Sequence, residues 1–285
     1  MTATTMTSPD RRPGPGRATP ELGTTRREAR SRGERTAYVR LELRRTVRDL
    51  VTMFFVVGLP AFMYVLFGAS AGYSQENAGN GNVALYVMIS MAAYGAVTAT
   101  VGIGGTAAVE RMQGWGRQLG LTPLRDGTYV ATKAVVALVV AALPILVVYV
   151  LGVLTGAEGT ATAWLGSAAI LVVGAVMFAL YGLVFGLAFR SESAVTAAGG
   201  SLVVLGFLGN IFFPLSGILL DIARFTPLYG YVSLARYPLT EGHVVDSQGG
   251  LVHEALWMSV TNVAVWTGIF AVLATWLVRR SRGRQ

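Results

Sequence analysis

Six long apolar stretches dominate the hydrophobic pattern of this chain. An apolar run of about 18 residues or more is long enough to cross the hydrocarbon core of a bilayer as an α-helix. The stretches are Val51–Gly68, Val83–Val109, Thr128–Leu154, Trp164–Phe189, Ala194–Leu220 and Ala255–Val278. Pro60 predicts a kink in the first of them. The pattern therefore predicts an all-α integral membrane protein, with six transmembrane helices in a domain covering residues 51–280.

The basic residues between the stretches predict the orientation. Cytoplasmic loops of membrane proteins are enriched in Lys and Arg. The two termini and the second and fourth connections together hold 21 of the 23 Lys and Arg but 9 of the 15 Asp and Glu. The opposite side holds only Arg224 and Arg236 as basic residues. We therefore expect both termini in the cytoplasm and a multi-pass protein of the plasma membrane.

Composition supports the membrane assignment and narrows the chemistry. Of the 285 residues 53% are hydrophobic and 13% are charged, and the mean hydropathy is +0.55, whereas soluble domains average about 25% charged residues. The net charge of +8 is concentrated at the ends of the predicted membrane domain, so we expect membrane lipid, and no nucleic acid, as its partner. The chain has no cysteine, which excludes disulfides and thiolate metal sites.

Two different polar segments precede the first stretch. Residues 1–33 are rich in Arg, Thr, Pro and Gly and poor in large apolar side chains, a composition that predicts a disordered basic cytoplasmic tail. Residues 34–50 combine an apolar stripe with a basic face, which predicts an amphipathic interfacial helix on the inner leaflet. A cytoplasmic extension of the first transmembrane helix is an alternative, and both can hold. The stripe is Val39, Leu43, Val47 and Leu50, and the basic residues are Arg40, Arg44, Arg45 and Arg48.

The connection at residues 221–254 is longer than a turn requires. It mixes aromatic residues, two prolines and two arginines. Aromatic side chains favour the membrane interface. The segment is predicted to form one or two short re-entrant helices that dip into the outer leaflet, or else an extracytoplasmic surface loop.

The apolar stretches lack the residues of an enzyme or of an ion-coupled transporter. Five of them contain no ionisable residue, and the third contains Lys133 near its cytoplasmic end, where a lysine can snorkel to the headgroups. Neither a mid-membrane carboxylate nor a phosphate-binding G-x-x-x-x-G-K-[ST] motif is present. We therefore assign no catalytic residue. No metal site is expected either, since the residues with metal-binding chemistry have no specific spacing. These residues are His243, Asp246, His253 and Glu254.

The polar residues within the stretches are mostly uncharged Thr, Ser and Asn. They are expected to form hydrogen bonds between helices or, alternatively, to line a weakly polar substrate path. The main candidates are Thr98, Ser201, Asn210 and Asn262. Gly182 and Gly186 stand in G-x-x-x-G register, which suits close helix packing.

A short charged segment at residues 109–127 separates the second and third stretches. At helical spacing, Met112, Trp115 and Leu119 share one face, and Glu110, Gln113 and Arg117 share the opposite face. Pro123 should end this helix because the residue before a proline avoids the helical region. We therefore predict a cytoplasmic docking loop containing a helix, with an apolar face toward the membrane domain and a polar face toward the cytosol.

The sequence ERMQGWGRQLGLTPLRDGTYVATKAV, residues 110–135, resembles the first cytoplasmic loop of ABC-2-type permeases, the membrane subunits of ATP-binding-cassette exporters. Trp115 departs from the small residue or Thr that is usual there. The six-helix pattern, the amphipathic entry helix and the run FFPLSG at residues 212–217 are also similar to the family. The matching loop residues are Glu110, Arg111, Gly114, Arg117, Leu119, Thr122, Pro123, Leu124 and Lys133.

The resemblance implies an ABC-2-type exporter transmembrane domain with no ATPase activity of its own. Its partners would be a nucleotide-binding subunit that supplies ATP and Mg²⁺ and a second permease subunit, identical or different. The substrate would be a hydrophobic or amphipathic drug, antibiotic or lipid, as in antibiotic resistance, and the compartment the bacterial inner membrane. Polysaccharide export and a non-transporting membrane anchor or assembly protein are the alternatives. The expected docking residues are Glu110, Arg111, Gln113, Gly114 and Arg117, and the expected packing residues of the docking helix are Met112, Trp115, Leu119 and Pro123.

Overall fold

The computed structural model describes residues 40–41, 43–110, 126–189, 193–245, 247 and 250–282. The predicted tail at residues 1–33 and the core of the docking loop, residues 111–125, lie outside the described residues, and the predictions made for them stay predictions. The elements after residue 49 are α1 (Leu50–Ala69), α2 (Val83–Glu110), α3 (Asp126–Leu154), α4 (Ala161–Phe189), α5 (Ser193–Leu208), α6 (Gly217–Ala223), α7 (Pro227–Thr240), β1 (His243–Val245), β2 (Leu251–His253) and α8 (Leu256–Arg282).

Five helices in the described part of the chain are long and apolar enough to cross a membrane. They are α1, α2, α3 from Val135, α4 and α8 as far as Arg280. Large apolar side chains on α1 and α8 are exposed, among them Phe54, Phe62, Trp257 and Val272. An apolar exterior of this kind is what a lipid solvent requires, so the protein is a mostly helical, membrane-embedded chain.

The fifth apolar stretch does not form the single helix predicted for Ala194–Leu220. Helix α5 ends at Leu208, and at about 1.5 Å per residue its 16 residues extend about 24 Å, less than the roughly 30 Å of a hydrocarbon core. Asn210 and Gly217 adopt left-handed conformations with φ of 55° and 57°, and Pro214 lies between them. These residues end the helix, and α6 is a separate short helix.

The amphipathic segment and α1 are separate helices in this structure. Residues 43–48 are helical, and Asp49 is extended, with φ of −77° and ψ of 93°. The Asp49 carboxylate accepts hydrogen bonds from the Thr52 backbone N–H and hydroxyl at 3.2 and 2.7 Å, which caps the start of α1. Leu43 packs inward, whereas Val47 and Leu50 are exposed.

Around Pro60, where a kink was predicted, the helix contains π-helical turns. Residues Phe54–Gly58 and Val65–Ala69 are π-helical, with an α-helical turn between them. Pro60 has no N–H to bond the Val56 carbonyl, and that oxygen lies against Gly95 of α2. The widened turns therefore accommodate the missing hydrogen bond.

Helix α2 is the centre of the bundle, and most of its residues are buried. It packs against α4 and α3 most extensively and against α5, α1 and α7 as well. At the crossing with α4, Gly104 lies on the Ala179 backbone and Gly182 lies on the Val101 carbonyl. The G-x-x-x-G pair therefore lies where two helix backbones approach closely.

One end of the bundle, here named the loop end, consists of residues 70–82, residues 155–160 and the β1–β2 hairpin. The Asn82 side chain donates to Gln75 Oε1 and the Gly156 carbonyl and accepts from the Glu158 N–H, at 2.9–3.0 Å. The Asn80 N–H donates to the Leu239 carbonyl at 2.7 Å. The two connections and the end of α7 therefore form one hydrogen-bonded layer.

Helices α5 and α7 follow one another along α2. Val195 of α5 packs against Gly105, and Gly206, later in α5, packs against Tyr94. Arg236 of α7 reaches Ser90, and Leu239 reaches Asn80. The half of α2 nearer Glu110 is thus covered by α5 and the loop-end half by α7. Residues 209–226 connect α5 to α7.

Candidate functional site

Glu110 is the one predicted docking residue that the structure describes. It ends α2, and its Oε1 lies 3.8 Å from Arg45 Nη1, with side-chain exposures of 19% for Glu110 and 78% for Arg45. Its carboxylate is therefore turned partly toward the segment before α1. The other docking and packing residues, Arg111 to Pro123, lie outside the described residues.

Two of the predicted interior polar residues bond within or between neighbouring helices. The Thr98 hydroxyl donates to the Tyr94 carbonyl of its own helix at 2.8 Å. The Ser201 hydroxyl bonds the Ala198 carbonyl at 2.7 Å and the Tyr181 hydroxyl of α4 at 2.5 Å. The Ser201 bond joins two helices, as the packing interpretation expects, whereas the described bond of Thr98 stays within α2.

The other two, Asn210 and Asn262, hold the irregular segment after α5. Asn210 Oδ1 accepts the Leu215 N–H at 3.1 Å. Asn262 Nδ2 on α8 donates to the carbonyls of Arg224 and Thr226 at 2.7 and 3.2 Å. Asn262 Oδ1 is buried against Gly230 and has no hydrogen-bond partner among the described groups. These amides replace backbone partners that a continuous helix would have supplied.

Arg236 is an arginine buried inside the helical bundle. It is 5% exposed and lies on α7 among Leu228, Val232 and Leu239, which are fully buried. Its Nε and Nη2 donate to Ser90 Oγ at 3.0 and 2.5 Å, and Nη2 also donates to the Asn210 carbonyl at 2.9 Å. The guanidinium carbon lies 4.0 Å from the centre of the Tyr86 ring. Arg236 thus joins α7, α2 and the end of α5.

The groups that surround the Arg236 guanidinium are neutral. No described carboxylate is within ion-pair distance of it. The Tyr86 ring and the negative end of the α5 dipole at Asn210 compensate part of the charge. Burial lowers the pKa of Arg236, although an arginine stays protonated in proteins. Arg236 is therefore a buried cation whose described partners are a hydroxyl, a carbonyl and an aromatic ring.

A cleft opens beside this guanidinium. Its volume is about 260 Å³, including the part open to solvent. The Nη1 group of Arg236 makes none of the described hydrogen bonds. The other lining residues are Tyr86, Gly209, Asn210, Tyr229, Ser233, Thr240, His243 and Val244. The cleft therefore joins a buried cation to a mostly polar wall.

A paired charge network lies next to the cleft. Glu254, whose side chain is 5% exposed, accepts hydrogen bonds from Arg224 Nε and the Tyr229 hydroxyl, both at 2.7 Å. The hydrogen bond to Glu254 raises the pKa of Arg224, and burial raises that of Tyr229. Arg224 also bonds Asp221 at 2.9 Å. Arg224 therefore lies between two carboxylates, and the three groups together carry one net negative charge.

Comparison with known proteins does not assign this chain to a family. No family model and no curated protein matches this chain. The geometry above and the resemblance of residues 110–135 therefore carry the functional interpretation.

Among the described residues of the hairpin, the two histidines lie close together and Glu254 is turned to other partners. His243 and His253 face each other across β1 and β2, with ring centroids 5.0 Å apart. Glu254 is turned to Arg224 and Tyr229, and Asp246 lies outside the described residues. In the described ranges no group of three His, Asp or Glu side chains is placed to hold a metal ion.

Sequence reasoning did not single out Arg236, although two signals pointed toward its helix. Thr226 followed by Pro227 is an N-cap and first-turn signature, and the Thr226 hydroxyl accepts the Tyr229 N–H. Apolar residues recur at helical spacing through Leu228, Val232, Ala235 and Leu239. This stripe passes next to Arg236. The β1–β2 hairpin was not predicted.

Proposed function

We propose that this chain is the transmembrane permease subunit of an ATP-driven exporter of ABC-2 type in a bacterial inner membrane. It moves a hydrophobic or amphipathic substrate, such as a drug, antibiotic or lipid, out of the cytoplasm. A separate nucleotide-binding subunit binds ATP and Mg²⁺ and hydrolyses the ATP. The observation that carries the proposal is the docking-loop motif of residues 110–135.

The position of that motif supports a coupling role. It starts at the last residue of α2 and runs into α3, so a partner bound there acts on two helices at once. Because α2 is the most buried helix and packs against α1, α3, α4, α5 and α7, a displacement at its end is transmitted through packed side chains to the rest of the bundle.

The outer surface supports a second membrane subunit. Exposed aromatic and aliphatic side chains on α1 and α8, such as Phe55, Leu66 and Trp276, suit contact with lipid or with another permease. Two copies, or this chain with a different permease, would enclose a path between them. The partner permease and the ATPase are both parts of the proposal.

The test is a co-purification followed by a transport assay. The first requirement is an adjacent reading frame that carries the P-loop motif G-x-x-x-x-G-K-[ST]. Its product is co-expressed with the chain, and the complex is captured through a tag on the permease. We expect ATP hydrolysis stimulated by an amphipathic substrate, together with ATP-dependent accumulation of that substrate in inverted vesicles. A P-loop lysine variant of the ATPase should abolish both.

The variant pair Glu110→Ala with Arg117→Ala tests the docking residues. Charged interface groups set docking and orientation, and truncating one partner of a buried pair costs roughly 2–5 kcal/mol. We expect loss of the ATPase from the complex while membrane insertion is kept. Arg279→Ala, an exposed charge on α8, is the control and should retain the partner. Full ATPase binding and coupling in the double variant would show that the docking assignment is wrong.

A further inference from the structure

The two histidines of the β1–β2 hairpin form a directly opposed pair. His243 and His253 are cross-strand partners, and the Glu254 N–H donates to the Gly242 carbonyl at 2.7 Å. A bond between the residues that flank a pair in this way marks a non-hydrogen-bonded pair, in which the facing side chains lie closer together than in the other type. The two imidazoles therefore extend side by side from the same face of the hairpin.

The spacing of the two rings suits one shared metal ion. Both side chains are exposed, and the ring centres are 5.0 Å apart. In tetrahedral sites Zn²⁺ lies about 2.0–2.1 Å from an imidazole nitrogen, so two imidazoles on one ion have ring centres roughly 5 Å apart. An ion could therefore be held by both rings without a change in the spacing of the strands.

One of the two rings already has the tautomer that a metal requires. His243 Nδ1 lies 3.0 Å from the Thr240 carbonyl oxygen. A carbonyl can only accept a hydrogen bond, so Nδ1 carries the proton and Nε2 of the neutral ring has the lone pair. Histidines that bind metals usually donate their other ring N–H to a carbonyl or a carboxylate in this way. None of the described hydrogen bonds involves His243 Nε2.

The charge around the hairpin favours a cation. The described parts of the connections on this side of the bundle contain five carboxylates and two arginines, a net charge of −3. Glu241, which is exposed, lies two residues before His243. The carboxylates are Glu76, Glu158, Asp221, Glu241 and Glu254, and the arginines are Arg224 and Arg236.

We propose that His243 and His253 together bind one divalent transition metal ion, Zn²⁺ or Cu²⁺, on the exposed face of the hairpin. Imidazole is a preferred ligand of both ions. In the described ranges no third His, Asp or Glu side chain is placed to join the pair, so water completes the coordination, and the affinity is lower than that of a closed four-ligand site. Because β1 follows α7 and β2 precedes α8, the ion would tie the end of α7 to the start of α8.

The composition of the chain allows a direct binding experiment. His243 and His253 are its only histidines, and it has no cysteine. The full chain is purified in an uncharged detergent through a histidine-free tag, then titrated with Zn²⁺ by calorimetry and with Cu²⁺ by electron paramagnetic resonance. We expect one ion per chain and a copper spectrum with two imidazole nitrogens. Neither measurement needs an ATPase partner, so the result is separate from that of the transport test.

Single substitutions make the result specific. His243→Asn and His253→Asn each remove one ligand at an exposed position. Each should weaken Zn²⁺ binding about tenfold or more, since loss of a group that merely orients a ligand already costs 10–100-fold. Glu76→Gln, which removes an exposed carboxylate from another connection, should leave the affinity unchanged. Thermal unfolding without metal confirms that each variant is folded, and Zn²⁺ should raise the unfolding temperature of the native chain more than that of either histidine variant.

Four results would overturn the proposal. The first is absence of Zn²⁺ and Cu²⁺ binding by the folded native chain. The second is unchanged Zn²⁺ binding in both histidine variants, which would place the ion on carboxylates. The third is one ion per two chains, which would mean that histidines of different copies share it. The fourth is equal affinity for Mg²⁺, an ion that takes oxygen ligands.

Discussion

At the scale of single residues, the tightest constraint is the crossing of α2 and α4 at Gly104 and Gly182. A Cβ at Gly104 would lie 2.1 Å from the Ala179 carbonyl oxygen, and one at Gly182 would lie 2.2 Å from that of Val101. Only glycine permits this approach, since the obstructing atoms are backbone and cannot rotate away. The sequence pattern Gly182-x-x-x-Gly186 indicated close packing, but it did not indicate the partner helix.

Gly104→Ala is expected to destabilise the protein because the two helix backbones must separate. Overpacking of this kind costs about 1–3 kcal/mol. Gly102, two residues earlier in the same helix, has no atom within 4 Å of the position of a Cβ, so Gly102→Ala should be neutral or slightly stabilising. Thermal unfolding in detergent compares the two. Equal unfolding temperatures would show that the crossing is looser than described.

The charge network around Arg224 allows a second comparison between matched residues. Glu254 and Asp221 both accept a hydrogen bond from Arg224, but their side chains are 5% and 67% exposed. Glu254→Gln should lower the free energy of unfolding by about 1–3 kcal/mol, since bonds to a buried charge are the strong ones. Asp221→Asn should cost less than about 1 kcal/mol, as for exposed pairs. A larger effect of Asp221→Asn in the same unfolding measurement would contradict this ranking.

At the scale of elements, hydropathy located five helices to within about four residues at each end but missed the break in the fifth apolar stretch. Val83–Val109 was predicted for α2, which the structure gives as Val83–Glu110, because an apolar run must be helical in lipid. Hydropathy predicted one helix for residues 194–220, because Gly209, Pro214 and Gly217 do not interrupt an apolar run. The break depends on backbone conformation and on partners such as Asn262 and Arg236. These partners are distant in sequence, so no local pattern shows them.

The break after α5 depends on Asn210, and this can be tested. Its left-handed conformation costs a side chain other than Gly, Asn or Asp about 1–2 kcal/mol, and its Oδ1 accepts the Leu215 N–H. Asn210→Ala should therefore destabilise the protein, whereas Asn210→Gly should lose only the side-chain bond. Both variants keep the carbonyl that accepts from Arg236. The unfolding temperature should fall in the order native, Gly, Ala, and the reverse order for the two variants would refute the conformational argument.

At the scale of the whole molecule, α5 and α7 together cover α2 where one long helix was expected. Helix α5 alone, about 24 Å long, is shorter than a hydrocarbon core. If the chain crosses the membrane between α4 and α8, residues 209–226 must complete the crossing with polar backbone buried in protein, which a bilayer tolerates only there. Asn210, Asn262 and Arg236 bond the carbonyls and N–H groups of this region. The irregular segment is thus compatible with a crossing.

The number of membrane crossings decides on which side of the membrane α8 ends. The distribution of basic residues predicts that side. Arg48 before α1 and Arg279 at the end of α8 should lie on the same, cytoplasmic side, which requires an even number of crossings. The connection between α1 and α2 should lie outside. Asn80 is a poor reporter there because it bonds Leu239 and Glu241, whereas Glu76 is exposed.

Single cysteines at Glu76, Arg48 and Arg279, introduced into a chain with no native cysteine, test this with a membrane-impermeant maleimide on intact cells. Glu76→Cys should be labelled, and Arg48→Cys and Arg279→Cys should be labelled only after permeabilisation. The unsubstituted chain, which should remain unlabelled, is the control. Labelling of Arg279→Cys from outside, with Arg48→Cys protected, would mean five crossings. The arginines at the end of α8 would then face outward, against the charge bias of every other connection, and the six-crossing permease topology would have to be abandoned.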